Sequence, residues 1–213
     1  MIRGILTIAA AAVAALAASP AAAATDAQSY AACLFQSRPA QVKQLLEAQS
    51  LATANSLRQT LSNNDRCISR VFGGRAVPPE ALAPTLDYLR GNLAEQALLA
   101  DDHAAALQPL PLQQKRYIRP WFATTGRHPA VDEMGACMAD TDPAAIMGLI
   151  RTAPGSAAES AAIGAMSQSL TKCLSAGTRL DASRTALRAA LADALYQRLH
   201  SPALSLAQAP ERG

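Results

Sequence analysis

Ala136-Cys137-x5-Pro143-Ala144, Leu149-Ile150, Cys173-Leu174-Ser175 and Leu187-Arg188-x-x-Leu191-Ala192-Asp193 follow one another through residues 136–199. The same phrases occur earlier in the same order: Ala32-Cys33-x5-Pro39-Ala40, Leu45-Leu46, Cys67-Ile68-Ser69 and Leu89-Arg90-x-x-Leu93-Ala94-Glu95. The spacing between the two versions is 104 at the first cysteine and at the apolar pair, 106 at the second cysteine and 98 at the arginine. Preserved order with a drifting offset is what duplication followed by changes in loop length leaves behind. The expected architecture is therefore all-α: two homologous disulfide-stapled helical lobes of about four helices each, packed as a pseudo-two-fold pair.

The ends bound these lobes. Arg3 followed by an uncharged apolar run over residues 5–18, with Ala22-Ala23-Ala24 before Thr25, reads as an export signal over residues 1–24, cleaved after Ala24. The run is shorter than the roughly 18–20 apolar residues that a membrane-spanning helix needs. Residues 25–100 and 129–200 then form the two lobes. Residues 101–128 are a Pro-rich linker with an aromatic and basic segment, and residues 201–213 a loose tail. The formal charge of +3, from 19 basic and 16 acidic residues without a basic block, gives no footprint for a nucleic-acid partner.

Four cysteines in an exported chain imply two disulfides, and a periplasmic or secreted location. With two cysteines in each version of the repeat, the pairing Cys33–Cys67 and Cys137–Cys173 lets each lobe close its own loop. A loop of about 35 residues contributes roughly 3–4 kcal/mol in the chain-entropy model. Zinc ligation would call for short C-x2-4-C spacing, which is absent, so no metal is expected.

Helical spacing and breakers predict the elements. In the first lobe they are residues 26–36, 39–49 behind Pro39, 53–70 ending at Gly73-Gly74, and a fourth helix opened at Pro78-Pro79 or delayed to Pro84. In the second lobe residues 129–139 lead, and Asp142-Pro143 opens the next helix. Ser156 with Glu159 marks a capping box for a helix running to Cys173, and Asp181 caps the last. No segment alternates apolar and polar residues as a half-buried strand would. The leucine stripes of the two fourth helices are expected to pack against each other.

Three groups of residues are candidates for chemistry. Lys115-Arg116-Tyr117-Ile118-Arg119-Pro120-Trp121-Phe122 mixes aromatics with arginine, the residue types of binding hot spots. Tyr117, Arg119, Trp121 and Phe122 are thus a possible partner-binding patch, or else a plug between the lobes. Arg90, Glu95, Arg188 and Asp193 of the repeated motif stand five apart within each helix, too far round to face each other, so the expected pairs are crossed: Arg90 with Asp193 and Arg188 with Glu95. His103, His128 and His200 sit at element ends and read as surface residues. Met134, Met138, Met147 and Met166 read as core filler rather than a copper site. G-x-S-x-G, H-E-x-x-H and Gly-rich phosphate loops are missing, and no catalytic residue or cofactor is indicated.

The two-copy Cys/Pro/Cys pattern, followed by Leu191-Ala192-Asp193-Ala194-Leu195-Tyr196, resembles a group of exported, Ala-rich, all-helical bacterial proteins to which no activity is attached. It covers most of residues 32–199. The resemblance implies a fold and no chemistry. The expected role is a non-enzymatic interaction or structural module with an unknown protein partner. The alternative is a carrier of a small apolar or anionic ligand between the lobes, and the third reading a cell-wall-acting enzyme.

Overall fold

The computed structural model describes residues 20–74, 88–112, 117–174 and 182–200. Among them are ten α-helices, two short 3-10 turns and no strand. The helices are α1 Pro20–Ser37, α2 Pro39–Leu46, α3 Leu51–Ser62, α4 Asp65–Phe72, α5 Leu89–Leu99, α6 Pro129–Thr141, α7 Pro143–Ile150, α8 Ala157–Ala165, α9 Ser167–Cys173 and α10 Arg184–His200. The 3-10 turns are Ala104–Ala106 and Pro120–Thr124. No helix among the described residues is long and apolar enough to cross a membrane.

The element ends follow their capping chemistry. Pro39 and Pro143 occupy the first turns of α2 and α7, where a missing N–H costs nothing. The Asp142 carboxylate accepts from the Ala145 N–H at 3.3 Å, and Ser156 Oγ from the Glu159 N–H at 3.1 Å. Glu159 returns the bond one residue earlier than in the standard capping box, accepting from the Gly155 N–H at 2.8 Å. Gly73, in the left-handed region at φ 71°, ends α4.

Two expected helices are each divided. The segment expected over residues 53–70 breaks at Asn63-Asn64, where the Asn64 side chain accepts from the Cys67 N–H at 3.1 Å and starts α4 afresh. An asparagine that offers its own cap competes with helix continuation. The segment expected from Ser156 to Cys173 likewise pauses at Met166, between α8 and α9. The expected helix over residues 26–36 instead extends from Pro20. Residues 1–19, with most of the expected export signal, the expected helix start at Pro78 or Pro84, the Asp181 cap and the tail lie outside the described residues.

Cys33 is joined to Cys67, with Cα atoms 5.7 Å apart, and Cys137 to Cys173, with Cα atoms 5.5 Å apart. The first bond ties α1 to α4 and the second α6 to α9. Ser37 Oγ donates to the Cys33 carbonyl at 2.7 Å, and Thr141 Oγ1 to the Cys137 carbonyl at 2.8 Å, at the ends of α1 and α6.

Helices α5 and α10 form the centre, packed on each other, with α1 against α5 and α6 against α10. The α5–α10 crossing depends on small residues. A Cβ added at Gly91 would lie 2.5 Å from both Cα and Cβ of Ala189, so only glycine allows the backbones this close. Leu89, Leu93 and Leu98 of α5 and Leu191 and Leu195 of α10 are buried in one core with Tyr30, Leu34, Met134 and Ile146.

Candidate functional site

Helix α5 is buried over every residue from Leu89 to Glu95, so its polar side chains cannot reach water and must find partners inside. The same holds for α10 from Leu187 to Arg198. Arg90 Nε donates to Asp193 Oδ2 at 2.9 Å, while Nη1 and Nη2 donate to the Leu45 and Leu46 carbonyls at 2.8 and 2.9 Å. Arg188 Nε and Nη2 donate to the two oxygens of Glu95 at 2.8 and 2.6 Å. Its Nη1 and Nη2 also take the Leu149 and Ile150 carbonyls at 3.1 and 2.8 Å, and Nη1 reaches Glu159 at 3.2 Å. Each arginine therefore closes the open carbonyl end of a short helix, α2 or α7, and meets a carboxylate across the α5–α10 crossing.

The network extends further than the motif. Arg127 donates to Asp132 and to Asp193, each at 2.7 Å, and Thr125 Oγ1 donates to Asp132 at 2.6 Å. Gln28 Nε2 donates to Glu95 at 3.0 Å. Burial pushes the Glu95 and Asp132 carboxyls above their ordinary range against the pull of Arg188 and Arg127. Burial also acts on Asp193, but the charges of Arg90 and Arg127 outweigh it and hold that carboxyl below the usual range. The donors of this seam spend their hydrogen bonds on carboxylates and on helix-end carbonyls.

Over residues 117–122 the aromatic segment is largely interior. Tyr117, Arg119 and Trp121 are buried and Phe122 partly so. The backbone is extended at Arg119 and then enters the 3-10 turn, because Pro120 can begin a turn but cannot continue a helix through it. The Arg119 guanidinium lies 5.2 Å from the Tyr117 ring centre and donates to Asp140 at 3.2 Å. Arg198 reaches the same acid and donates to the Asp140 carbonyl at 3.1 Å. Burial raises Asp140 in spite of both cations. Hydrophobic contact and a buried ion pair hold Tyr117, Arg119 and Trp121 inside, with Phe122 half-buried beside them. Lys115 and Arg116 lie outside the described residues.

The four methionines expected as core are buried. Among the described residues no group of three or more His, Cys, Asp or Glu side chains is placed to hold a metal ion.

The sequence reading missed a cleft. Phe35 of α1, Val42 and Leu46 of α2, Ala97 of α5 and Tyr196 of α10 wall a depression of about 540 Å³. Its rim carries Asp101, with the His103 Nδ1 at 3.1 Å and the His200 Nε2 at 3.5 Å on its two oxygens. The Asp101 carboxylate also accepts the His103 backbone N–H at 2.8 Å. The Tyr196 ring stacks on His200 with centres 4.3 Å apart. His103 and His200 stand 97 residues apart in the chain, and no local pattern links them. His128 is elsewhere, capping α6 through Nδ1. A second cavity of about 290 Å³ lies beside the α5–α10 crossing, where Arg90 and Arg127 meet Arg58 and His128.

No family model, curated protein or solved structure matches this chain.

Proposed function

We propose that the protein is an exported, non-enzymatic module made by duplication. Two homologous lobes, residues 25–100 and 129–200, pack as a pseudo-two-fold pair around the α5–α10 crossing, joined by residues 101–128. The observation that carries this reading is the reciprocal use of the repeated motif. Arg90 takes the Leu45 and Leu46 carbonyls and the acid at 193; Arg188 takes the Leu149 and Ile150 carbonyls and the acid at 95. Gly91 and Ala189, at the point of closest approach, are also 98 residues apart. A motif consumed in this way supports a structural role for the most faithful part of the repeat. Two disulfides fit an oxidising compartment, and the periplasm or the extracellular space is the proposed location.

A second reading, a carrier of a small ligand, is favoured by the cleft over α1, α2, α5 and α10. Its volume falls in the range of small-molecule sites and its lining mixes apolar residues with a few polar groups. Native mass spectrometry of the protein purified from its own export compartment separates the readings. A stoichiometric second chain supports the interaction module, and a small-molecule adduct the carrier. Release of fragments from purified cell-wall material, lost on substitution of Asp101, would overturn the non-enzymatic reading.

A further inference from the structure

The cleft carries a charge pattern that its apolar wall does not require. Lys43 and Glu47 on its edge pair with each other at 3.8 Å and cancel. That leaves Asp101 and Asp102 on the rim without a fixed cation between them, since their neighbours His103 and His200 are histidines. Apolar and aromatic residues share the lining, Phe35 and Tyr196 among them, with the Tyr196 ring already against His200. Aromatic faces beside carboxylates are the surroundings that stabilise an organic cation, through the ring quadrupole and through Coulomb attraction at a partly desolvated rim.

We infer that this cleft binds a small organic cation with an apolar body, such as a primary amine on an aralkyl or alkyl chain, the ammonium at Asp101 and Asp102 and the chain against Phe35, Val42 and Ala97. The inference rests on the carrier reading and names its ligand class. It departs from the anionic ligand that the sequence had suggested. In the arginine-lined cavity beside Gly91, Asp193 and Asp132 already neutralise Arg90 and Arg127, which leaves Arg58, among the described residues, as the arginine there without a carboxylate. Two further features fit. The His103 backbone N–H, together with its ring and His200, holds the Asp101 carboxyl below the usual range, so it is charged at neutral pH. The Tyr196 hydroxyl is pushed up to about 12 by burial and by the field of Glu47, with Asp101 a smaller contributor, so it remains a neutral phenol.

The test uses the mature, disulfide-bonded protein with three probes of nearly one shape: 4-phenylbutylamine, 4-phenylbutanol and 4-phenylbutyrate. Affinity is read by calorimetry and location by amide chemical-shift changes. The amine is expected to bind at least tenfold more tightly than the carboxylate, with the alcohol between them and shifts centred on α1, α2 and α5. Added salt should weaken the amine alone. Asp101→Asn keeps an acceptor for the His103 N–H and should cost the amine several-fold while leaving the alcohol unchanged. Asp102→Asn, at an exposed position, should act in the same direction without touching the fold. Equal affinity for all three probes, located in the cleft, would overturn the cation assignment and leave the carrier reading standing. No binding of any probe, or shifts away from these helices, would overturn both.

Discussion

Arg188 and Glu95 meet as a two-pronged pair, Nε to Oε2 at 2.8 Å and Nη2 to Oε1 at 2.6 Å, with each side chain only 3% exposed. The fork of a guanidinium matches the two oxygens of a carboxylate, and burial removes the competing water. Such a pair need not add net stability over an apolar one, because desolvation offsets the attraction. Its physical consequence is that neither partner can be removed alone without leaving a buried charge.

Asp193 shows this most sharply, since both Arg90 and Arg127 depend on it. Asp193→Ala should destabilise the protein by about 3–5 kcal/mol, the usual cost of stranding a buried charge. Urea denaturation of the oxidised protein measures it. A loss below about 1 kcal/mol would show that water reaches the site.

Gly91 sets the helix approach. Gly91→Ala places a methyl group against the Ala189 backbone and should cost at least about 1–3 kcal/mol. Gly148 and Gly164 lie in α7 and α8 with nothing within 4 Å of an added Cβ. Alanine there should stabilise by about 0.5–1 kcal/mol through helix propensity. Thermal melts of the three variants should therefore shift in opposite directions, and a neutral Gly91→Ala would contradict the close crossing.

Each disulfide closes a similar loop, with sequence separations of 34 and 36. Replacing either pair by serine should cost about 2–5 kcal/mol, and the two losses should be comparable. Tryptic mapping without reductant should recover Cys33 with Cys67 and Cys137 with Cys173. Peptides that join the two halves would be the contrary result.

The buried acids predict a pH dependence. Burial raises Glu95, Asp132 and Asp140. From ordinary carboxylate values near 4 up to those raised values, the folded form binds more protons than the unfolded, so these groups lose stability as pH rises through that window. Asp193, held low by Arg90 and Arg127 against burial, behaves oppositely: its contribution is present above the ordinary value and lost as pH falls through its lowered one. Asp132→Asn cannot ionise, so its melting-temperature deficit against the natural protein should shrink as pH rises through the window. A deficit that grows with pH would reverse the assignment.

Local chemistry in the sequence carried most of the helical pattern. Pro39, Pro143, Ser156 and Gly73 each act within one turn of their own position, so their effect can be read without the fold. Asn64 was equally local, yet the apolar spacing of Leu57 and Leu61 suggested a continuous helix through it. Tyr117 to Phe122 left two readings open for a different reason: the same aromatic and arginine composition suits a hot spot or a core, and burial is not written in the local sequence. The partners Arg127 and Asp132 and the cleft acid Asp101 with His103 and His200 depend on how α1, α2, α5, α6 and α10 come together. Asp132 sits in the first turn of α6, and nothing in its neighbourhood in the chain points to Arg127 or Asp193 as partners.

The most direct measurement is a set of double-mutant cycles over the four motif residues, read by denaturant unfolding. Arg90 with Asp193 and Arg188 with Glu95 should each show a coupling energy of roughly 1–3 kcal/mol, while Arg90 with Glu95 and Arg188 with Asp193, which share a helix, should couple more weakly. That outcome would establish the crossed lock between the two halves. Coupling within each helix and additivity across them would contradict it.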